Sequence, residues 1–478
     1  MTEELDRRDE AIMNAIQGMV TGEVSRADFV KRAGALGLSA SAVGAMLVAA
    51  GKATAADAGA ARAFAGETVN MLIAAEGDEK GIKDKTPAFE KLTGIKLKTT
   101  ALAVVPLLAK ANQSIKAPNA SYDVIMVLGF AVSQMVGGGY FTPLNSYVAK
   151  APGGYDFDDF PKGQLNYVGY YSPAKQNFGG KTLYLIPGLH GGSAIFFYRK
   201  DLLRQAGLAV PKTWGEYLAA AKALNTGGVA GNSMIAKSGD VSMILVDWYT
   251  RFTTVGGKLM SGSPETKNFT PRLTSPAAVA ALDHMVKCVQ YASDGVLQYD
   301  FTASVDAFGA GKTALMLMWA TIGGPIYNPK SSKVAGKVGV ALNPGIGANR
   351  GRAVRGGWGL GIPKNSKVKD AAWLTIAYFT TKQYERYQTG TYQTDPSRLS
   401  TYANPALVKR APYLPVAGAV YDKATILEIA RVPETFELIT AASEEFSAAL
   451  SGSASAREAC KKANDRWTKI LKRGGWLT

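Results

Sequence analysis

Apolar and polar positions divide most of the chain into short runs of β character separated by stretches of helical spacing. Thr68 to Ala75 (TVNMLIAA), Ile95 to Thr100 and Tyr122 to Leu128 (YDVIMVL) read as strands, the last a continuous apolar run of the kind buried on both faces of a parallel sheet. Leu183 to Ile186, stopped by Pro187 and Gly188, and Ala194 to Tyr198 predict two more strands with a Gly-rich bend between them. Arg199 to Ala206 then predicts a helix closed by Gly207, and Thr213 caps another, with Glu216 placed three residues on to reach back. Helices are expected over Met243 to Thr253, Pro276 to Ser293, Asp370 to Thr380, Thr435 to Leu450 and Ala456 to Arg473. Strands are expected over Thr313 to Trp319, Val338 to Leu342 and Leu360 to Ile362. The stretch from Pro152 to Gly180, rich in Gly, Pro, Tyr and Asp, reads as loop. Strands alternating with helices mean an α/β fold.

The beginning of the chain departs from this pattern. After 24 polar, helix-prone residues come Ser25 to Arg32 (SRADFVKR), a small-residue apolar run from Ala33 to Ala50, and Ala-x-Ala triplets at 53–55 and 56–58. A charged region, an apolar region and a cleavage-type site in that order make a secretory leader, so residues 1–58 are expected to be removed on export to the periplasm. Ser25 to Lys31 resembles a twin-arginine signal, with Ala27 in place of the second arginine and Val30 in place of leucine. An uncleaved membrane anchor is the competing reading; the Gly, Ser and Ala content makes it a poor lipid-facing helix.

Length and charge narrow the function. The 478 residues suffice for two domains with separate cores. Lys and Arg number 54 against 38 Asp and Glu, a net charge of +16, but they are scattered rather than gathered on one segment. Nucleic acid is therefore not an expected partner. Cys288 and Cys460 match no metal or redox spacing and leave two readings open, one disulfide or two buried thiols. With His190 and His284 the only histidines, and His284 inside the helical pattern Ala277 to Tyr291, no metal site is expected.

Catalytic signals fail on inspection. Gly309 to Thr313 looks like the end of a phosphate loop, yet Asp306 stands where its first glycine belongs and a strand follows instead of a helix. Ser193 lies near His190 without a nucleophile elbow or a third partner, and Asp158-Asp159 sit in loop sequence. No catalytic residue and no cofactor are expected.

The residues around the Gly-rich bend carry a family resemblance. Lys181 to Pro187 (KTLYLIP), then Phe197 to Leu203 (FYRKDLL), Ala206-Gly207-Leu208 and Pro211 to Trp214 (PKTW), resemble a block of the bacterial extracellular solute-binding proteins of ABC importers, the sugar-binding family typified by maltose-binding protein. Tyr122 to Met126 with the later Gly139 to Leu144 return, Phe308 to Trp319, Gly356-Gly357-Trp358 before Ile362 to Ser366, Asp370 to Trp373 and Asp395 to Arg398 are similar to further blocks in the same order. The resemblance implies a two-lobed periplasmic-binding-protein fold with the ligand cleft between lobes. It places 67–186 with 345–394 in one lobe and 187–342 with 396–478 in the other. The hinge would pass through Pro187, Gly188, Asn343, Pro344 and Pro396. It further implies a monomer that closes on a carbohydrate or polyol and delivers it to ABC permease subunits. A secreted carbohydrate-active hydrolase and a membrane-tethered structural protein are the alternatives.

Ligand-binding candidates follow from position. Phe130, Trp248, Trp319 and Trp358 lie at strand ends or near Gly-rich bends, where a flat ring can stack on the apolar face of a sugar. His190 in its Gly-flanked bend is a candidate donor, and Glu76 and Arg398 are candidates for polar substituents or for an ion pair between lobes.

Overall fold

The computed structural model describes residues 62–151, 155–237, 239 and 243–478, together with Ser25, Asp28 and Lys31, so almost all of the expected leader lies outside the described residues. The first lobe contributes β1 (Thr68–Ala74), β2 (Lys96–Leu102), β3 (Val124–Leu128), the hairpin of β4 (Tyr170–Ser172) and β5 (Asn177–Leu183), and β6 (Leu185–Pro187). The second contributes β7 (Ala194–Arg199), β8 (Ala230–Ser233), the short pair β9 (Met260–Ser261) and β10 (Thr270–Pro271), β11 (Thr313–Trp319) and β12 (Val338–Ala341). β13 (Trp358–Gly361) then returns to the first sheet.

The first sheet runs β2-β1-β3-β13-β6, with β1 parallel to β2 and β3 and β13 antiparallel to its neighbours. Helices Asp78–Thr93, Val104–Lys116 and Lys369–Phe379 pack on it, which is why Met71 to Ala74 and Val124 to Val127 are buried without alternation. The second sheet runs β12-β7-β11-β8. Its neighbouring helix Trp214–Leu224 starts with the expected capping box: Thr213 Oγ1 accepts from the Glu216 amide at 3.2 Å while Glu216 accepts from the Thr213 amide. Such a cap contributes about 1 kcal/mol.

One expectation is corrected and one open choice is settled. The stretch 152–180 is not all loop: it holds a helical turn over Lys162–Gly169 and the β4–β5 hairpin, whose partners (Tyr170 with Leu183, Tyr171 with Phe178) lie too far apart to show as a local period. Cys288 and Cys460 are both buried and unpaired, which decides between the two cysteine readings. His284 is structural, its Nε2 facing Trp214 O at 2.8 Å and its Nδ1 accepting from Arg251 Nε at 3.1 Å.

The chain passes from the first sheet to the second between Pro187 and Ala194, and back between Ala341 and Trp358. A third passage, through residues 393–398, links helix Lys382–Tyr392, packed on helix Asp78–Thr93, to helices packed near β7. These segments are bonded together. The Gly191 amide donates to Asp395 O at 3.0 Å, the Ser193 amide to Asp395 Oδ2 at 2.7 Å, and the Gly356 amide to Gly192 O at 3.3 Å. Buried Asn343 donates through Nδ2 to Ala194 O at 2.8 Å and Arg352 O at 3.1 Å. Gly192 has φ +78°, and a β-carbon there would stand 2.3 Å from the Gly357 amide nitrogen, so only glycine allows this approach. Leu189, just before His190, also has positive φ, 72°, a conformation that costs a leucine about 1–2 kcal/mol.

Candidate functional site

The two sheets approach where Trp319, at the end of β11, lies against Gly356, two residues before β13. β1 ends at Ala74, shortly before Glu76-Gly77-Asp78, and Asp78 opens the helix that follows with its side chain fully buried. His190, from the first passage, lies between the two carboxylates: Nδ1 is 2.6 Å from Asp78 Oδ2 and Nε2 is 2.9 Å from Glu76 Oε2. Gln388 Nε2 donates to the other oxygen of Asp78 at 3.2 Å. Burial disfavours a charged ring, but the charges and hydrogen bonds of Asp78 and Glu76 outweigh it and hold the His190 pKa up, to about 10. Asp395 nearby behaves differently. Burial pushes its pKa up to about 6, against the Ser193 amide, the Tyr402 hydroxyl (2.7 Å) and the charge on His190.

Aromatic rings extend this cluster. Trp358 packs edge-on against His190 with ring centroids 6.1 Å apart. Trp319, partly exposed at the end of β11, covers Gly356, where a β-carbon would come within 2.8 Å of its ring. Glu76, His190 and Trp358 are thus in contact, and the chain leads from Trp358 through Gly357 to Gly356, which Trp319 of the second sheet covers, giving a path from one sheet to the other. Phe130 follows β3 and is buried in the core of the first lobe.

Two candidates lie elsewhere. Trp248 has no exposed surface, stacks on Phe252 at 4.8 Å and donates its ring N–H to Ala278 O at 3.0 Å. Arg398 is equally buried, with Nε, Nη1 and Nη2 donating to Thr380 O (2.9 Å), Asp156 O (2.6 Å) and Tyr155 O (2.9 Å) over the Phe160 ring. Both make structural contacts: Trp248 has no exposed face, and Arg398 is fully buried with all three nitrogens engaged and Asp159 Oδ2 3.7 Å from Nη1. His190 also has both nitrogens engaged; its geometry is that of a support for Glu76 rather than a ligand donor. The arrangement offers no nucleophile–base pair either, since Ser193 Oγ faces Tyr402 Oη at 3.4 Å.

Sequence reasoning missed Asp78, Asp395, Arg355, Gln164 and Tyr167. Asp78 stood two residues from Glu76 and Arg355 directly before Gly356-Gly357-Trp358, so proximity to chosen residues was a usable signal for these two. Tyr167 and Gln164 belong to the misread 152–180 stretch. Tyr167 lies against Gly129, where a β-carbon would meet its ring at 2.5 Å, and Gln164 Nε2 donates to Gly356 O at 3.1 Å.

The lobes also touch directly. Ser133 Oγ of the first donates to Ala430 O of the second at 2.6 Å, and Asn177 meets Glu265 and Arg431. The space beside Trp319, ringed by Ala194, Met243, Asp247 and Thr250, is about 20 Å³, enough for one water. A larger cavity of about 300 Å³ is lined by Gly163, Asn166, Tyr167 and Phe178 of the first lobe and Ile426 of the second.

A family profile described as bacterial extracellular solute-binding protein matches residues 74–386. A probable amino-acid ABC transporter periplasmic-binding protein of Sinorhizobium fredii is 28% identical over 326 residues, 67% of this chain and 70% of that one. A mannitol-binding protein of Pseudomonas aeruginosa is 27% identical over 317 residues, 62% of this chain and 71% of that one. Among solved structures, an ABC transporter solute-binding protein from Agrobacterium radiobacter K84 in complex with ribitol superposes with a TM-score of 0.76 at 24% identity, covering 85% of this chain and 99% of that one.

Proposed function

The chain belongs to the bacterial extracellular solute-binding proteins, and from that premise we propose that it captures a carbohydrate or polyol between its lobes, by hinge closure, for an ABC permease. Its family binds solutes and is not a family of enzymes. The observation that carries the ligand class is the path from Glu76 through Trp358 to Trp319. It joins a carboxylate, whose Oε2 is held by His190 while its side chain stays 27% exposed, to two indoles at the meeting of the sheets. A carboxylate oxygen accepts from ligand hydroxyls, and flat rings cover the apolar faces of a carbon chain bearing them. The mannitol-binding relative supports the same class.

Closure needs a hinge, and the three bonded passages at Pro187–Gly192, around Asn343-Pro344 and at Pro396 are the segments we assign to it. The protein would act as a monomer, exported by its leader and cleaved near residue 58; a mature N-terminus at Met1 or Thr2 would exclude that cleavage. A thermal-shift series with sugars, alditols and sugar acids tests the binding. A receptor gains RT ln(1 + [L]/Kd) of stability and returns its ligand unchanged. Absence of any shift up to millimolar ligand would reject the ligand class, and product formed on incubation would favour the hydrolase alternative.

A further inference from the structure

Arg355 carries a largely buried charge that no carboxylate among the described residues pairs with. It precedes Gly356-Gly357-Trp358 in the second passage and is 8% exposed. Its Nη2 donates to Ala424 O at 2.7 Å, the one hydrogen bond its side chain makes among the described residues, and no carboxylate there forms an ion pair with it. The guanidinium lies 5.4 Å from the centre of the Tyr421 ring and against Gly163, where a β-carbon would be 3.1 Å away. Gly163 lines the interlobe cavity, as does Tyr167 one helical turn later.

Three buried polar atoms of nearby residues lack partners: Tyr167 Oη, Tyr421 Oη and Gln164 Oε1. Burial raises the pKa of both phenols, with the charge of Arg355 opposing it at each, so both keep their protons at neutral pH. Native proteins rarely leave such groups unpaired, because each costs about 1–3 kcal/mol. A guanidinium and two phenolic O–H groups call for an acceptor carrying negative charge. Gln164 calls for the opposite. Its Nε2 is committed to Gly356 O, so the unpartnered Oε1 is an acceptor that needs a donor such as a hydroxyl.

We propose that the ligand is a polyhydroxy acid whose carboxylate is received by Arg355 with Tyr167 and Tyr421, and whose adjacent hydroxyl donates to Gln164 Oε1. The rest of its hydroxylated chain extends toward Trp358 and Glu76. This rests on the carbohydrate or polyol reading and narrows it to aldonic or uronic acids. Bidentate capture of a carboxylate by arginine supplies both affinity and orientation.

Calorimetric titration of the full chain with D-gluconate and D-glucitol, which differ at one terminal carbon, tests the proposal. Gluconate is expected to bind about tenfold or more tightly than glucitol, a difference of about 1.4 kcal/mol. Arg355→Gln should abolish the preference and Arg355→Lys should retain part of it. Equal or weaker binding of gluconate, with glucitol bound, would overturn the acid subsite and leave the polyol reading standing. Binding of amino acids, with no response to any sugar, alditol or sugar acid, would overturn both. The wild-type pair decides the matter even if the glutamine variant does not fold.

Discussion

Arg398 and Arg355 are both buried, both lie in segments joining the lobes and both sit over aromatic rings, yet they are built for opposite purposes. Arg398 spends three nitrogens on three backbone carbonyls, pinning Tyr155 and Asp156 to the end of helix Lys369–Phe379. Arg355 spends one. Residue type is the same in the two places, and burial differs only from complete at Arg398 to 8% exposure at Arg355; the number of donors already answered separates a structural rivet from a receptor. A charged group can be kept out of water only if something pairs with it, and at Arg355 the proposed partner is the ligand.

The largest effect expected from this contrast is on folding. Arg398→Met should lower stability by about 3–5 kcal/mol, since it strips three buried carbonyls of their donor at once. Arg355→Met should cost about 1 kcal/mol or less, because an apolar side chain over Tyr421 removes an uncompensated charge and only one bond. Urea unfolding of both variants without ligand measures this. A larger loss at Arg355 than at Arg398 would break the distinction.

The same criterion reclassifies His190, whose two nitrogens are both engaged, and leads to a pH test. Its folded pKa, about 10, stands above the unfolded value of about 6.5. Its stabilisation is therefore complete below about 6.5 and is lost as pH rises through about 10. His190→Gln should cost about 2–3 kcal/mol at pH 7, where Asp78 is left buried without its cation, and the gap from wild type should close by about pH 11. Asp395, lifted to about 6, titrates in both proteins and bears little on the comparison above pH 7. A gap independent of pH from 7 to 11 would show that His190 is not held as a cation.

How much of this was legible in the sequence depends on the distance over which each signal acts. The capping box at Thr213, the strand Thr313 to Trp319 and the helices Thr435 to Leu450 and Ala456 to Arg473 depend on neighbours a few residues away, and the sequence pattern places them correctly. The burial of Val124 to Val127 on both faces follows from an unbroken apolar run, although the sheet is mixed: β3 pairs parallel with β1 and antiparallel with β13. The site is assembled differently. Asp78 reaches His190 across 112 residues, Asp395 reaches the Ser193 amide across 202, and Gln164 reaches Gly356 across 192. No periodicity encodes such pairings, so a Gly-flanked histidine was visible while the carboxylates that charge it were not. Arg398 and Trp248 were mistaken for cleft residues for the same reason: a nearby bend suggests exposure, and only the tertiary partners show that their polar atoms are used.

The smallest effect, and the one that bears on function most directly, concerns the tryptophans. Trp248 and Trp319 repeat the arginine contrast in apolar form. Trp248 is enclosed by Phe252 and Phe446 with its N–H bonded to Ala278 O, whereas Trp319 is partly open and packs one edge on Gly356. If the open ring is a stacking surface, Trp319→Ala should leave the unfolding transition near that of wild type. It should weaken the ligand found in the thermal-shift series by about 1–2 kcal/mol, a loss of roughly 5- to 30-fold in affinity. Trp358→Ala should weaken the same ligand and also loosen His190, so its loss of affinity should come with a lower melting temperature. Undiminished binding in both variants would place the ligand away from the path between Glu76 and Trp319. Retained binding in Trp319→Ala alone would restrict contact to the first lobe, and the second lobe's part in closure would then rest on the Tyr167–Ile426 cavity.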